Sequence, residues 1–212
     1  MTKKPGLKQI VQTTFAVLFG FGAWLMLAGF MPQGAPQRLT SRPVTRVEGF
    51  AAWQQVYSVL TSPRCINCHT ASSFPEQGED RQPHFAHVVR GPQGKGVPAL
   101  QCVSCHQEAN ADSTGTPGGH NWHLAPLSMK WQDADGKILS SADVCRSVKD
   151  RSKNSNLSGA ALLKHHNEEP LVLWAWHPGR RPDGSMRTPP PLTHEQFVEA
   201  TRQWVEAGMP CP

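Results

Sequence analysis

The sequence is poor in apolar residues, which fill only 38% of its 212 positions, while glycine occurs 18 times and proline 19 times. A domain of that composition has little apolar surface to bury, and its many glycines and prolines interrupt long helices and strands. We therefore expect a compact, mainly α domain with extensive loop. A bound apolar cofactor would supply the missing part of its core.

The sequence also lacks a basic stripe with interleaved aromatic residues, the pattern typical of nucleic-acid-binding proteins. Its formal net charge is +5, but the basic residues include Lys3, Lys4 and Lys8, and no acidic residue occurs among the first 31 positions. The rest of the chain carries 18 basic and 16 acidic residues. The charge therefore gives no reason to expect a nucleic-acid partner.

The N-terminal segment has no charged residue between about position 15 and position 31. Lysines precede this apolar run and a proline-rich stretch follows it, an order typical of a secretion signal or an uncleaved anchor. Signal cores span about 7 to 15 residues and membrane helices about 17 to 25, so the length favours an anchor. We predict a transmembrane or signal helix in residues 1–31, a linker in 32–46 and a periplasmic domain in 47–212.

Two copies of the pattern C-x-x-C-H occur, at residues 65–69 and 102–106. This pattern is the signature of covalent haem attachment. Two residues between the cysteines let both sulfurs reach the vinyl groups on one porphyrin edge, and the adjacent histidine becomes the proximal ligand of the iron. The sequence thus predicts two covalently bound haem c groups, one on Cys65, Cys68 and His69 and one on Cys102, Cys105 and His106.

Two other cysteine chemistries compete with haem attachment. A structural zinc site would use the four motif cysteines but leave both motif histidines unexplained, and zinc ribbons usually separate their pairs by about 15 to 20 residues. Here 33 residues separate Cys68 from Cys102. A thioredoxin-like dithiol is disfavoured because no strand-and-helix pattern surrounds either pair.

Each iron needs a sixth ligand, or an open position if the protein is a catalyst. We predict His84 for one haem and His123 for the other, because both lie within a short loop of a motif. Met129 is the best thioether candidate and would give a haem of higher potential. His165 and His166 are adjacent on a predicted helix, so that only one could face a haem. The remaining candidates are His87, His120, His177, Met186, His194 and Met209.

The two cysteines outside the motifs, Cys145 and Cys211, are expected to form a disulfide in an oxidising compartment. Two free thiols are the alternative.

Apolar spacing and capping residues predict helices from Val47 to Leu60, Ser140 to Lys149 and Ser158 to His166, and after a capping box at Thr193. Residues 170–176 could be helical or extended. Five tryptophans are expected on or beside the porphyrins: Trp53, Trp122, Trp174, Trp176 and Trp204.

Several segments carry a family resemblance: Pro83-His84, residues 90–100 before the second motif, residues 122–129, Cys145-Arg146, residues 170–176 and residues 204–211. Over most of its soluble part the sequence resembles small exported dihaem cytochrome c-like proteins often labelled isoquinoline 1-oxidoreductase subunit. The resemblance implies an accessory that passes substrate electrons to or from a molybdenum-containing oxidoreductase. The chain has no C-x4-C-x2-C iron–sulfur set and no sign of a molybdopterin domain, so it is not itself a redox subunit of such an enzyme.

The motifs favour an electron carrier that exchanges electrons with redox protein partners in the periplasm. Such a partner could be the molybdenum-containing oxidoreductase or a component of a respiratory chain. The alternative is a haem enzyme, such as a dihaem peroxidase with one open iron. The 33 residues between Cys68 and Cys102 are too few for the two separate cytochrome domains that such enzymes have.

Overall fold

The computed structural model describes residues 42–212. The predicted N-terminal helix, in residues 1–31, lies outside the described residues. Among the helices between residues 42 and 212, none is long and apolar enough to cross a membrane.

The described part of the chain is mainly helical with extensive loop, which confirms the coarse expectation from the sequence. Its α-helices are α1 (Arg46–Leu60), α2 (Pro63–Ile66), α3 (Ser141–Lys149), α4 (Gly159–Glu168), α5 (Pro170–Trp174) and α6 (His194–Glu206). Its strands have two residues each and are β1 (Glu76–Gln77), β2 (Gln82–Pro83), β3 (Gly96–Val97) and β4 (Leu100–Gln101). Strand β1 pairs with β2, and β3 with β4, as antiparallel hairpins.

Helices α3 and α6 begin after their predicted caps, Ser140 and Thr193, and α1 begins at Arg46, one residue before the predicted start. Thr45 and Thr193 both form complete capping boxes, at the starts of α1 and α6. The side chains of Ser140 and Ser158 accept hydrogen bonds from the third backbone N–H of α3 and α4. A cap oxygen satisfies an N–H group that has no partner within the helix, so these serines and threonines fix the helix starts.

The core lies between α1 and α6, where two tryptophans pack against each other. The rings of Trp53 and Trp204 are 4.8 Å apart and both side chains are fully buried. Trp53 Nε1 donates to Ser141 Oγ at 2.9 Å, and Trp204 Nε1 donates to the carbonyl of Pro210 at 3.0 Å. These two of the five tryptophans expected beside a porphyrin are therefore packing residues of the helical core.

A disulfide joins Cys145 of α3 to Cys211, with their Cα atoms 5.6 Å apart. This confirms the pairing expected from the cysteine count. Cys145 is fully buried, so the bond ties the segment after α6 to the centre of the core.

The loops between α2 and α3 are held together by Arg90. Its guanidinium donates to the carbonyl of Thr70 at 3.1 Å, to Thr70 Oγ1 at 3.0 Å and to the carbonyls of Ser72 and Ala125. No carboxylate pairs with Arg90 among the ion pairs of residues 42–212. The side chain thus links the loop after the first motif to the loop that ends near residue 125.

Glycine is required where these loops cross near the second motif. Gly94 has φ of +73°, and a Cβ atom there would lie 2.4 Å from the carbonyl oxygen of Leu124. The N–H of Leu124 donates to the carbonyl of Gly94 at 2.9 Å. Only a residue without a side chain can adopt this backbone conformation and allow so close an approach at no cost.

Replacing both disulfide cysteines, as Cys145→Ala/Cys211→Ala, should lower the free energy of unfolding by about 4 kcal/mol, because the bond restricts a long loop in the unfolded chain. Urea unfolding of the purified protein would measure the loss. A change below about 1 kcal/mol would show that the bond contributes little to stability.

Arg90→Ala should lower the free energy of unfolding by about 3 kcal/mol, because it leaves several backbone carbonyls without a donor at about 1 to 3 kcal/mol for each buried group. The control is Arg146→Ala, whose exposed side chain pairs with Asp143 within one helix and should contribute less than about 0.5 kcal/mol. Equal losses in the two variants would contradict this role of Arg90.

Candidate functional site

Both C-x-x-C-H motifs have the same pattern of backbone hydrogen bonds, that of a single helical turn. The N–H groups of Cys68 and His69 donate to the carbonyl of Cys65 at 3.1 and 3.2 Å. In the second motif the N–H groups of Cys105 and His106 donate to the carbonyl of Cys102 at 3.2 and 3.0 Å. Residues three and four apart lie on one side of a helical turn, so each motif presents its two thiols and its imidazole to the same side.

The imidazole of each motif histidine is held by a backbone carbonyl. His69 Nδ1 lies 2.5 Å from the carbonyl oxygen of Met129, and His106 Nδ1 lies 2.7 Å from that of Pro117. Since a carbonyl oxygen only accepts, Nδ1 carries the proton in each ring and Nε2 keeps its lone pair. Metal-bound histidines in proteins typically donate their other ring N–H in this way.

Each motif histidine also stacks on a tryptophan. The rings of His69 and Trp131 are 3.4 Å apart, and those of His106 and Trp122 are 4.6 Å apart, with an angle of 7° between the planes in both pairs. Together with the Nδ1 hydrogen bond, the stack fixes the orientation of the ring. Trp131 was not among the tryptophans singled out from the sequence, where nothing distinguishes it from the others.

A cavity of about 460 Å³ opens beside the first motif. Cys65, Cys68 and His69 line it together with apolar side chains that include Leu60, Leu162 and Phe197. The volume falls within the range of about 300 to 1,000 Å³ that is usual for cofactor and small-molecule pockets. Trp122, Trp174 and Trp176, which were expected beside a porphyrin, also line this cavity.

Two buried N–H groups at the cavity have no hydrogen-bond partner among the described residues: Arg64 Nε and Trp131 Nε1. Arg64 is only 6% exposed, and its Nη2 donates to Glu79 Oε2 at 2.7 Å. Leaving such groups unpaired costs about 1 to 3 kcal/mol each, which a ligand carrying carboxylates would recover. Haem has two carboxylates, so these residues fit it.

Desolvation by the surrounding protein raises the pKa of the Cys65 thiol to about 12 and that of the Cys68 thiol to about 11. Both thiols therefore stay neutral at pH 7. Nucleophilic and redox-active cysteines instead have lowered pKa values that favour the thiolate. The environment does not suit a catalytic thiol.

Within residues 42–212, no group of three or more His, Cys, Asp or Glu side chains is placed to hold a metal ion. A zinc site built from Cys65, Cys68, Cys102 and Cys105 would need such a group. Haem attachment needs only one histidine and two thiols, which each motif contains within five consecutive residues.

The residues considered as sixth ligands are divided between the two motifs. The ring centre of His84 lies 5.9 Å from that of His106, so the structure brings His84 to the second motif. Four other candidates, His123, Met129, His165 and His166, line the cavity of the first motif. The remaining loop histidines His87, His120 and His177 are exposed.

Two of these four cavity residues have backbone or side-chain roles of their own. Met129 provides the carbonyl that holds His69, which places its backbone on the His69 side of the cavity. His166 Nδ1 bonds Thr201 Oγ1 at 2.9 Å, in the interface between α4 and α6.

No family model, curated protein or solved structure matches this chain. The family resemblance of the sequence therefore stays a prediction, and the function rests on the residues of the two motifs.

Proposed function

We propose that this protein is a dihaem c-type cytochrome that carries electrons between redox proteins on the periplasmic side of the bacterial inner membrane. The observation that supports it best is the hydrogen bond from Nδ1 of each motif histidine to a backbone carbonyl. In both motifs this bond leaves Nε2 unprotonated and fixes its direction, as an iron ligand requires.

The bound haems would supply iron that gains and loses single electrons, while the protein sets the conditions for that exchange. At the first motif the apolar side chains of the cavity would keep water away from a bound iron, and the carbonyl of Met129, which holds His69 Nδ1, would make His69 a stronger base. Arg64 Nε and Trp131 Nε1 would donate to the carboxylates of the cofactor. Burial, ligand basicity and hydrogen bonding are the main protein properties that tune a haem potential.

The second motif is the more accessible of the two and is where we place exchange with a partner protein. Cys105 is exposed and Val103, inside the motif, is 46% exposed. Phe85, next to His84, is 71% exposed. Cys65 and Cys68 of the first motif are instead partly buried. A redox partner would therefore reach the second haem first, and the first haem would be the shielded one.

Haem stoichiometry tests the proposal. The purified protein should contain two haems per chain by pyridine haemochrome assay and by intact mass, since each motif attaches one. The variants Cys65→Ala/Cys68→Ala and Cys102→Ala/Cys105→Ala should each retain one covalent haem. The matched control Cys145→Ala/Cys211→Ala removes two cysteines outside the motifs and should retain both.

A polypeptide that has no mass beyond its amino acids, and no colour that survives acid acetone, would refute the proposal. Carrier function is tested separately by a redox titration, which should show two reversible one-electron steps. Rapid carbon monoxide binding at a reduced iron, with turnover of peroxide, would indicate an enzyme instead of a carrier.

A further inference from the structure

We propose that His84 is the sixth ligand of the iron held by His106, which closes the second haem site on both sides. The inference rests on the proposed function and deepens it, because a closed iron exchanges electrons but has no position for a substrate. It is carried by the distance between the His84 and His106 rings and by the tautomers of the two rings.

The separation of the two rings suits a shared metal. Each ligand nitrogen lies about 2 Å from a bound metal, and each ring centre about 1 Å further, so two imidazoles on one iron have ring centres about 6 Å apart. The ring centres of His84 and His106 are 5.9 Å apart, and the ring planes make an angle of 71°.

The tautomers of the two rings also support a shared metal. His84 Nδ1 lies 2.6 Å from the carbonyl oxygen of Phe85, so its proton is on Nδ1 and its Nε2 keeps the lone pair. His106 has the same tautomer through Pro117. Neither Nε2 can donate to the other, so the two rings cannot form a mutual hydrogen bond. A metal ion accepts both lone pairs.

The chain around His84 is held in a costly conformation. The N–H of His84 donates to the carbonyl of Pro75 at 3.0 Å, directly after strand β2. The next turn contains Ala86 at φ of +64° and His87 at φ of +51°. Left-handed backbone at such residues costs about 1 to 3 kcal/mol each and persists where the surroundings impose it.

The test uses the purified dihaem protein and the variants His84→Ala and His84→Met, with His120→Ala as the control. His120 is an exposed histidine near the second motif, and its Nδ1 lies 2.9 Å from the exposed carboxylate of Glu108. In His84→Ala, one of the two haems should change from low-spin to high-spin in its EPR and Soret spectra and bind carbon monoxide when reduced. Added imidazole should restore the low-spin spectrum. His120→Ala should match the unmodified protein.

His84→Met should keep both haems low-spin, because a thioether also ligates iron, but should raise the midpoint potential of one haem. We expect at least a tenfold shift in its reduction equilibrium, or about 59 mV for one electron. If His84→Ala fails to retain the second haem, the spectrum and potential of His84→Met decide the question alone.

Two low-spin haems in His84→Ala, or an unchanged potential in His84→Met, would overturn the assignment of His84 while the proposed function stands. A high-spin second haem in the unmodified protein would also overturn it. Absence of haem from the unmodified protein would refute the proposed function itself. Pyridine haemochrome assays on every variant separate these outcomes.

Discussion

The hydrogen bond between each motif imidazole and a backbone carbonyl is the constraint on which the rest of the structure depends. His69 reaches Met129, 60 positions further along the chain, and His106 reaches Pro117. A carbonyl can orient an imidazole only if its own loop is fixed, and in a chain this rich in glycine and proline that requires specific contacts. The network of Arg90 supplies them between the first motif and residue 125.

In the described part of the chain, helices form the core and loops hold most of the residues of the two motifs. Helices α1 and α6 form a conventional core around Trp53 and Trp204, and the disulfide joins α3 to the segment after α6. The motifs and the carbonyls that hold their histidines lie mostly in loops. Loops carry many functional residues in proteins because a rigid scaffold positions them, and here α1 leads directly into the first motif.

Features encoded by a few neighbouring residues could be predicted from the sequence: the two motifs, the capped starts of α3 and α6, and the disulfide. Features that depend on distant contacts could not. Any residue has a carbonyl, so nothing marks Met129 or Pro117 as the acceptors. No local sequence pattern indicates that Trp53 and Trp204 pack against each other either. The segment after Glu169 forms the short helix α5, which is too brief for periodicity to identify.

The disulfide between Cys145 and Cys211 has a consequence for the order of maturation. Both partners follow residues 65–106 in the chain, so during synthesis all four motif thiols emerge before either of them. A chain entering an oxidising compartment N-terminus first exposes those four thiols while their neighbours are still missing. In an oxidising compartment, Cys145 would be protected from pairing with a motif thiol only if the four motif thiols had reacted or been shielded before Cys145 emerged.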